Sequence, residues 1–164
     1  MAAATRLSPG GRRAMAGRYA VVAGVAGVVV LLDQLTKTWA VHALRDRTIH
    51  LFWTLQLNLS FNSGVAFGLG RGVTPFLVVG AVVVFVVLLA YTRSVPSMLR
   101  AVAMGLVLGG ASGNLCDRLF RGNGGAVIDF VDPQWWPVFN VADAAISCGA
   151  ILLIFSAAAT DPKS

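Results

Sequence analysis

The sequence contains no glutamate, and its seven acidic residues are all aspartates. Only 12% of the 164 residues are charged, whereas 57% are hydrophobic. Charge this sparse is unusual for a soluble protein and typical of a protein that crosses a membrane several times. The formal net charge of +6 comes from scattered or terminal Lys and Arg that form no basic stripe, which argues against nucleic acid as a partner. We therefore predict a single all-α membrane domain.

Cysteine and histidine are scarce, with two of each. Cys116 and Cys148 have no CxxC spacing and no histidine cluster near them, so we predict no metal site and no cofactor. The sequence also lacks GxSxG, HExxH and a Walker-type loop. Their absence argues against a serine hydrolase, a zinc protease or a nucleotide hydrolase, so these three kinds of chemistry are poorly supported.

Four apolar runs are each long enough to cross a bilayer, since a span needs about 20 residues at roughly 1.5 Å rise per residue. They lie at about 19–41, 74–91, 98–116 and 141–159. The tails are 1–18, which is basic, and 160–164, and the segments 42–73 and 117–140 are predicted to lie outside the membrane. Within the first of these segments, residues 49–60 alternate partly between apolar and polar, which predicts a small extramembrane sheet.

Four spans place both termini on one side of the membrane. Seven basic residues fall on that side: Arg6, Arg12, Arg13, Arg18, Arg93, Arg100 and Lys163. Five fall on the other, with Lys37 near the boundary: Arg45, Arg47, Arg71, Arg118 and Arg121. The arginine cluster before the first helix favours cytoplasmic termini. Both extramembrane segments then face the outer side, where Trp53, Trp135 and Trp136 are predicted interfacial anchors.

Two aspartates lie where long helices meet extramembrane segments. Asp143 is at the outer end of the fourth run, where helix amides favour negative charge, and Asp129 has apolar neighbours on both sides. Two carboxylates held close at low dielectric constant do not both ionise easily, so one keeps its proton. Such a pair is an acid and a base in one site, able to activate water against a peptide carbonyl. We predict that Asp129 and Asp143 are catalytic.

Three further features have a structural interpretation, and two of them also have a functional one. Asp33 and Lys37 are four residues apart, so they can pair on one helix face, either to support a site or as an interfacial ion pair that ends the span. Gly109 and Gly113 have the spacing of close helix packing. Asp117 either closes the third helix or takes part in chemistry.

Five short motifs, in their order and position relative to the spans, resemble the lipoprotein signal peptidase (signal peptidase II) family. These bacterial aspartyl proteases remove signal peptides from diacylglyceryl-modified prolipoproteins. The motifs are DQLTK at 33–37, NSGVAFG at 62–68, GNLCDR at 113–118, VIDF at 127–130 and FNVAD at 139–143. The resemblance covers about residues 19–159. The chain departs from it at Val65, where alanine is expected, and in a longer connection between Arg118 and Asp129.

The resemblance implies four transmembrane helices with a small extramembrane β-cradle and a short periplasmic-side helix. It implies a catalytic dyad of Asp129 and Asp143 that cuts N-terminal to the lipidated cysteine. It also implies a set of substrate-binding or supporting residues: Asp33, Lys37, Asn62, Gly64, Asn114, Asp117, Arg118, Asn140 and Ala142. The implied partners are prolipoproteins with a diacylglyceryl-modified cysteine and membrane lipid, in the bacterial inner membrane. The alternative is a small four-helix proton-coupled transporter, which needs carboxylates near the middle of its spans.

Overall fold

A computed structural model of the chain describes residues 9–64, 74–91 and 95–158. These residues form four helices and a three-stranded sheet. In chain order the elements are α1 (Pro9–Ala43), β1 (Ile49–Phe52), β2 (Leu55–Asn62), α2 (Thr74–Tyr91), α3 (Met98–Phe120), β3 (Val127–Asp132) and α4 (Val141–Ala158).

Helix α3 lies at the centre of the helical part and contacts α1, α2 and α4. Its glycines make this close approach possible. A Cβ atom at Gly109 would lie 2.7 Å from Val29 Cβ and 2.9 Å from the backbone of Ala26, and one at Gly113 would lie 2.5 Å from Asp33 Oδ2. The predicted role of these two glycines in helix packing is confirmed, because any larger residue would push α1 away from α3.

Two helices are longer than the apolar runs predicted. Helix α1 begins at Pro9, a residue suited to the first turn of a helix, whereas the predicted span begins at 19. Helix α3 continues to Phe120, and Asp117 lies inside it. The idea that Asp117 closes this helix is therefore wrong: its carboxylate binds Lys37 and Arg121 instead of ending the helical backbone.

Three helical segments among the described residues are long and apolar enough to cross a membrane: Arg13–Ala43, Met98–Phe120 and Val141–Ala158. The remaining predicted span forms helix α2, with a shorter apolar stretch at Val79–Ala90. The predicted short periplasmic-side helix is not found in residues 44–64 or 121–140, and residues 65–73 lie outside the described part of the chain.

The predicted extramembrane sheet forms, and its strands are antiparallel in the order β1-β2-β3. Strand β2 pairs with β3 so that Ser60 lies opposite Asp129 and Asn62 lies opposite Val127. The sheet packs on the end of α1 through a cluster that contains Ala40 and Phe130. This packing brings β3 to the level at which the helices end.

Candidate active site

Asn140 and Asp143 begin helix α4 with two reciprocal hydrogen bonds. Asn140 precedes the first helical residue, and its Oδ1 accepts from the Asp143 backbone N–H at 2.9 Å. In return, Asp143 Oδ2 accepts from the Asn140 backbone N–H at 3.2 Å. This arrangement is a capping box, which satisfies donors that the first turn of a helix leaves unpaired. It fixes the Asp143 carboxylate at the positive end of the helix dipole.

Asp129 lies on β3 and is bound by two amide side chains. Asn140 Nδ2 donates to Asp129 Oδ1 at 2.6 Å, and Asn62 Nδ2 donates to Asp129 Oδ2 at 3.0 Å. Asn62 reaches this carboxylate because it lies opposite Val127, which is on the same face of β3 as Asp129. Asn140 is fully buried and contacts both predicted catalytic residues. Asp129 and Asp143 therefore belong to one site.

Burial raises the pKa of Asp129 to about 6, since the residue is only 2% exposed and its charged form loses contact with water. The hydrogen bond from Asn62 opposes this shift, and the nearby charge of Asp143 adds to it. A carboxyl group with such a pKa gains and loses a proton near physiological pH. That property suits a general acid.

Asn114 on α3 connects the site to helix α1. Its Nδ2 donates to Asp143 Oδ1 at 2.8 Å, and its Oδ1 accepts from Asn140 Nδ2 at 3.1 Å. Lys37 Nζ also donates to Asn114 Oδ1, at 3.0 Å. The predicted asparagines and the two aspartates thus form one continuous hydrogen-bonded set.

A buried ion cluster lies beside this set. Lys37 Nζ is 2.9 Å from Asp33 Oδ2 and 2.8 Å from Asp117 Oδ2, and all three side chains are fully buried. Asp33 Oδ1 also accepts from the Ala142 N–H, and Asp117 Oδ2 from the Ile128 N–H, both at 3.0 Å. The predicted pair of Asp33 and Lys37 is confirmed. Its burial decides against an interfacial ion pair that only ends the span.

Two members of the cluster are absent from the predicted site. Arg121 Nε is 3.2 Å from Asp117 Oδ1, and Arg121 Nη2 donates to Gln34 Oε1 at 3.0 Å. Gln34 Nε2 donates to Asp117 Oδ1 at 3.0 Å. The sequence holds a signal for Arg121, which follows Asp117 by four residues. The role of Gln34 depends on how α1 packs against α3, which no local pattern gives.

The small predicted residues support their neighbours through the backbone. Gly64 has φ 76° and donates its N–H to Asn62 Oδ1 at 2.8 Å, so it fixes the amide that binds Asp129. Ala142 is fully buried, and a Cβ atom at Gly110 would collide with its carbonyl oxygen. The start of α4 therefore lies directly against α3.

Arg118 is near both carboxylates but bonds to neither in the described part of the chain. Its Nη1 donates to the Asn114 carbonyl at 3.3 Å, and its charge interacts with those of Asp143, Asp117 and Asp129. Its Nε is buried and has no hydrogen-bond partner among the described residues. The same residues contain no group of three or more His, Cys, Asp or Glu side chains placed to hold a metal ion.

Known proteins share this arrangement of sequence and fold. A family model described as signal peptidase (SPase) II matches residues 25–159. The lipoprotein signal peptidase of Rhodococcus jostii is 47% identical over 79% of this chain and 68% of that protein. The lipoprotein signal peptidase of Syntrophomonas wolfei is 44% identical over 77% of this chain and 85% of that protein.

Two solved structures share the fold, and both are described as bacterial membrane enzymes determined by the in meso method. The one at 1.9 Å resolution aligns with a TM-score of 0.68 and 26% identity, over 80% of this chain and 88% of that chain. The one at 2.3 Å aligns with a TM-score of 0.69 and 26% identity, over 85% and 91%. With the family model covering most of its length, the chain belongs to the signal peptidase II family.

Proposed function

We propose that this protein is an aspartic endopeptidase that removes the signal peptide from diacylglyceryl-modified prolipoproteins, cutting N-terminal to the lipidated cysteine. The observation that carries the proposal is that one buried residue, Asn140, binds both carboxylates: its Nδ2 donates to Asp129 and its backbone N–H to Asp143. Family membership supports the reaction class, since the relatives are lipoprotein signal peptidases.

Asp143 acts as the base and Asp129 as the acid. Donors from Asn114 and from the helix start converge on the Asp143 carboxylate, which takes a proton from the attacking water. Asp129, with its raised pKa, gives a proton to the carbonyl oxygen. When the tetrahedral intermediate collapses, the C–N bond breaks and the leaving amine takes the proton held by Asp143. Asp129 regains its proton as the new carboxyl group forms.

Arg118 binds a carbonyl group of the substrate close to the scissile bond. Its charge interacts with those of both catalytic carboxylates, and its half-buried side chain carries five N–H donors, of which Nη1 binds the Asn114 carbonyl among the described residues. Asn62 binds Asp129 from the end of β2, and Gly64 fixes the Asn62 side chain. The substrate backbone then passes between α3 and the end of β2.

The reaction takes place at the outer face of the cell membrane. The positions of Asp143 in the first turn of α4 and of Asp129 on the sheet support a site at the level where the helices leave the lipid. A lipid-anchored cysteine presents its scissile bond at that depth while its acyl chains stay in the bilayer. In this arrangement α2 is the remaining span and both termini are cytoplasmic.

The transporter alternative is not favoured. A proton relay through the membrane needs carboxylates near the middle of the spans. Asp129 lies outside the helices, and Asp143 lies in the first turn of α4. Both relatives compared above are lipoprotein signal peptidases, which also argues against a transporter.

The test uses purified protein in lipid nanodiscs and a lipidated precursor peptide that carries a diacylglyceryl-cysteine. We expect Asp129→Asn and Asp143→Asn to lower the cleavage rate by about a hundredfold or more, because each removes a proton-transfer group. The matched control is Asp132→Asn, a carboxylate on the same strand that binds Gln56 and the Gln134 N–H instead. We expect this control to cleave at the wild-type rate.

Cleavage at an unchanged rate by either folded dyad variant would rule out the dyad. Folding is checked by thermal unfolding and by elution as a single species. Incubation of the wild type with a chelator is a second check. Loss of activity that returns with added metal would replace the dyad mechanism by a metal-dependent one.

A further inference from the structure

Lys37 uses all three of its N–H donors inside the protein. Two of them bind the carboxylates of Asp33 and Asp117, which compensates buried charge. The third binds a neutral group, the side-chain oxygen of Asn114, at 3.0 Å. Charge compensation alone does not require this third contact, and Asn114 is the residue that donates to Asp143.

The orientation of the Asn114 amide follows from its neighbours. Its oxygen accepts from Lys37 Nζ at 3.0 Å and from Asn140 Nδ2 at 3.1 Å, which leaves its NH₂ group to donate to Asp143 Oδ1 at 2.8 Å. If the amide were rotated by half a turn, its NH₂ group would meet two donors, and its oxygen would meet a carboxylate oxygen. Lys37 supplies one of those two donors and all of their positive charge.

We propose that Lys37 is a positioning residue for the active site, which acts by holding the Asn114 side chain in the orientation that donates to Asp143. This inference rests on the proposed function, since Asp143 is the catalytic base there. Lys37 itself touches neither the substrate nor the reacting atoms. Through Asn114 it holds the Asp143 carboxylate in the position from which it takes a proton from water.

A purely structural role for Lys37 makes a different prediction. If Lys37 only compensates Asp33 and Asp117, its replacement lowers stability, and the molecules that remain folded cleave at the normal rate. If Lys37 acts through Asn114, its replacement lowers kcat in folded molecules and leaves KM unchanged, because the substrate-binding groups stay in place. The two roles are therefore separable by kinetics on folded protein.

The experiment measures kcat and KM with the lipidated precursor peptide for Lys37→Met, Asn114→Ala and the double variant. Each single variant should lose about ten- to a hundredfold in kcat, the effect of one hydrogen bond to a charged group. The double variant should lose no more than the larger single loss, since both changes remove the same interaction. Asp33→Asn combined with Lys37→Met removes one charge of each sign, and it replaces Lys37→Met if the latter does not fold.

The matched control is Arg121→Gln. It removes the other cation bound to Asp117, and Arg121 has no contact with Asn114 among the described residues. We expect a lower unfolding temperature and an unchanged kcat for this variant.

Multiplicative losses in the double variant, or a normal kcat for folded Lys37→Met, would overturn the inference while Asp143→Asn stays inactive. Cleavage by Asp143→Asn would instead overturn the proposed function. The two failures are therefore distinguishable.

Discussion

At the scale of single residues, Asp129 is a carboxyl group whose surroundings favour its neutral form. It is almost fully buried, and the charge of Asp143 lies nearby. Two amide donors keep it oriented. A residue tuned in this way makes the free energy of folding depend on pH, because its pKa differs between the folded and unfolded chain.

This dependence predicts the sign of a stability change in Asp129→Asn. The folded-state pKa of about 6 lies above the value of about 3.9 for an unfolded aspartate. The stability that the protonated side chain contributes is complete below about pH 4, and it is lost as the pH rises through 6. Asparagine stays neutral, so the unfolding temperature of Asp129→Asn should rise relative to that of the wild type between about pH 4 and 6, and the difference should stay constant at higher pH. Thermal unfolding in detergent at several pH values measures the difference.

Asp132→Asn is the control for this pH series, with the opposite expectation. The hydrogen bond from Gln56 lowers the pKa of Asp132, so its ionised form contributes stability that is present above the unfolded pKa and lost at lower pH. This variant should be no more stable than the wild type at neutral pH. A gap between Asp129→Asn and wild type that does not change with pH would contradict the assignment.

Many residues of the site can be predicted individually from the sequence, whereas most hydrogen bonds between them cannot. Asp129 and Asp143 are indicated by carboxylates beside apolar runs in a chain with few charges. The capping box at the start of α4 is also a local pattern, as Asp143 follows Asn140 by three residues. The hydrogen bond from Lys37 to Asn114 joins two residues that are 77 positions apart and lie on different helices, so only the packed fold reveals it.

At the scale of elements, helix α3 is the central helix and packs against α1, α2 and α4. Lipid is as apolar as leucine, so close packing and hydrogen bonds, more than burial of apolar surface, hold helices together in a membrane. Gly109 faces Val29 and the backbone of Ala26 on α1 at a distance that admits no side chain. Apolar runs predict the ends of the helices less well than their existence. In α1 and α3, polar residues continue the helix beyond the segment that is long enough to cross the lipid.

Gly109→Ala should therefore destabilise the protein by about 1–3 kcal/mol, the usual cost of an added methyl group in a packed site. Its Cβ atom would meet backbone atoms of Ala26, which cannot rotate away as a side chain could. Gly24→Ala on α1 is the matched control, since no atom lies within 4 Å of a Cβ placed there. Denaturant or thermal unfolding in detergent compares the two variants. Equal stability of both would show that α1 and α3 pack less closely than described.

At the scale of the whole molecule, the sheet presents an apolar surface outside the helices. A groove of about 550 Å³ lies between the β1–β2 turn and the segment after β3, and it is lined by Phe52, Trp53, Thr54, Leu55, Pro133, Trp135, Trp136 and Phe139. Trp53 is 92% exposed, Trp135 72% and Trp136 61%. Exposed aromatic surface of this extent is costly in water and common at the interface between lipid and water. The prediction that these tryptophans are interfacial anchors is consistent with this surface.

Fluorescence quenching tests whether the groove lies in lipid. Each variant keeps one tryptophan and has phenylalanine at the other three positions, in nanodiscs that contain brominated lipid. We expect Trp53, Trp135 and Trp136 to be quenched by bromine near the headgroups and protected from iodide in water. Trp39, on the helix α1 that spans the membrane, is the positive control. Quenching of the three by iodide and not by brominated lipid would place the sheet in water.

The capping box at the start of α4 also limits which substitutions the protein can tolerate during evolution. In the proposed mechanism, Asn140 and Asp143 each serve both the first helical turn and the reaction centre through one side chain. A substitution that evades an inhibitor bound to either side chain would also loosen the turn from which the helix grows. Under the proposed mechanism, a resistance substitution at either position would lower both turnover and the stability of this first turn.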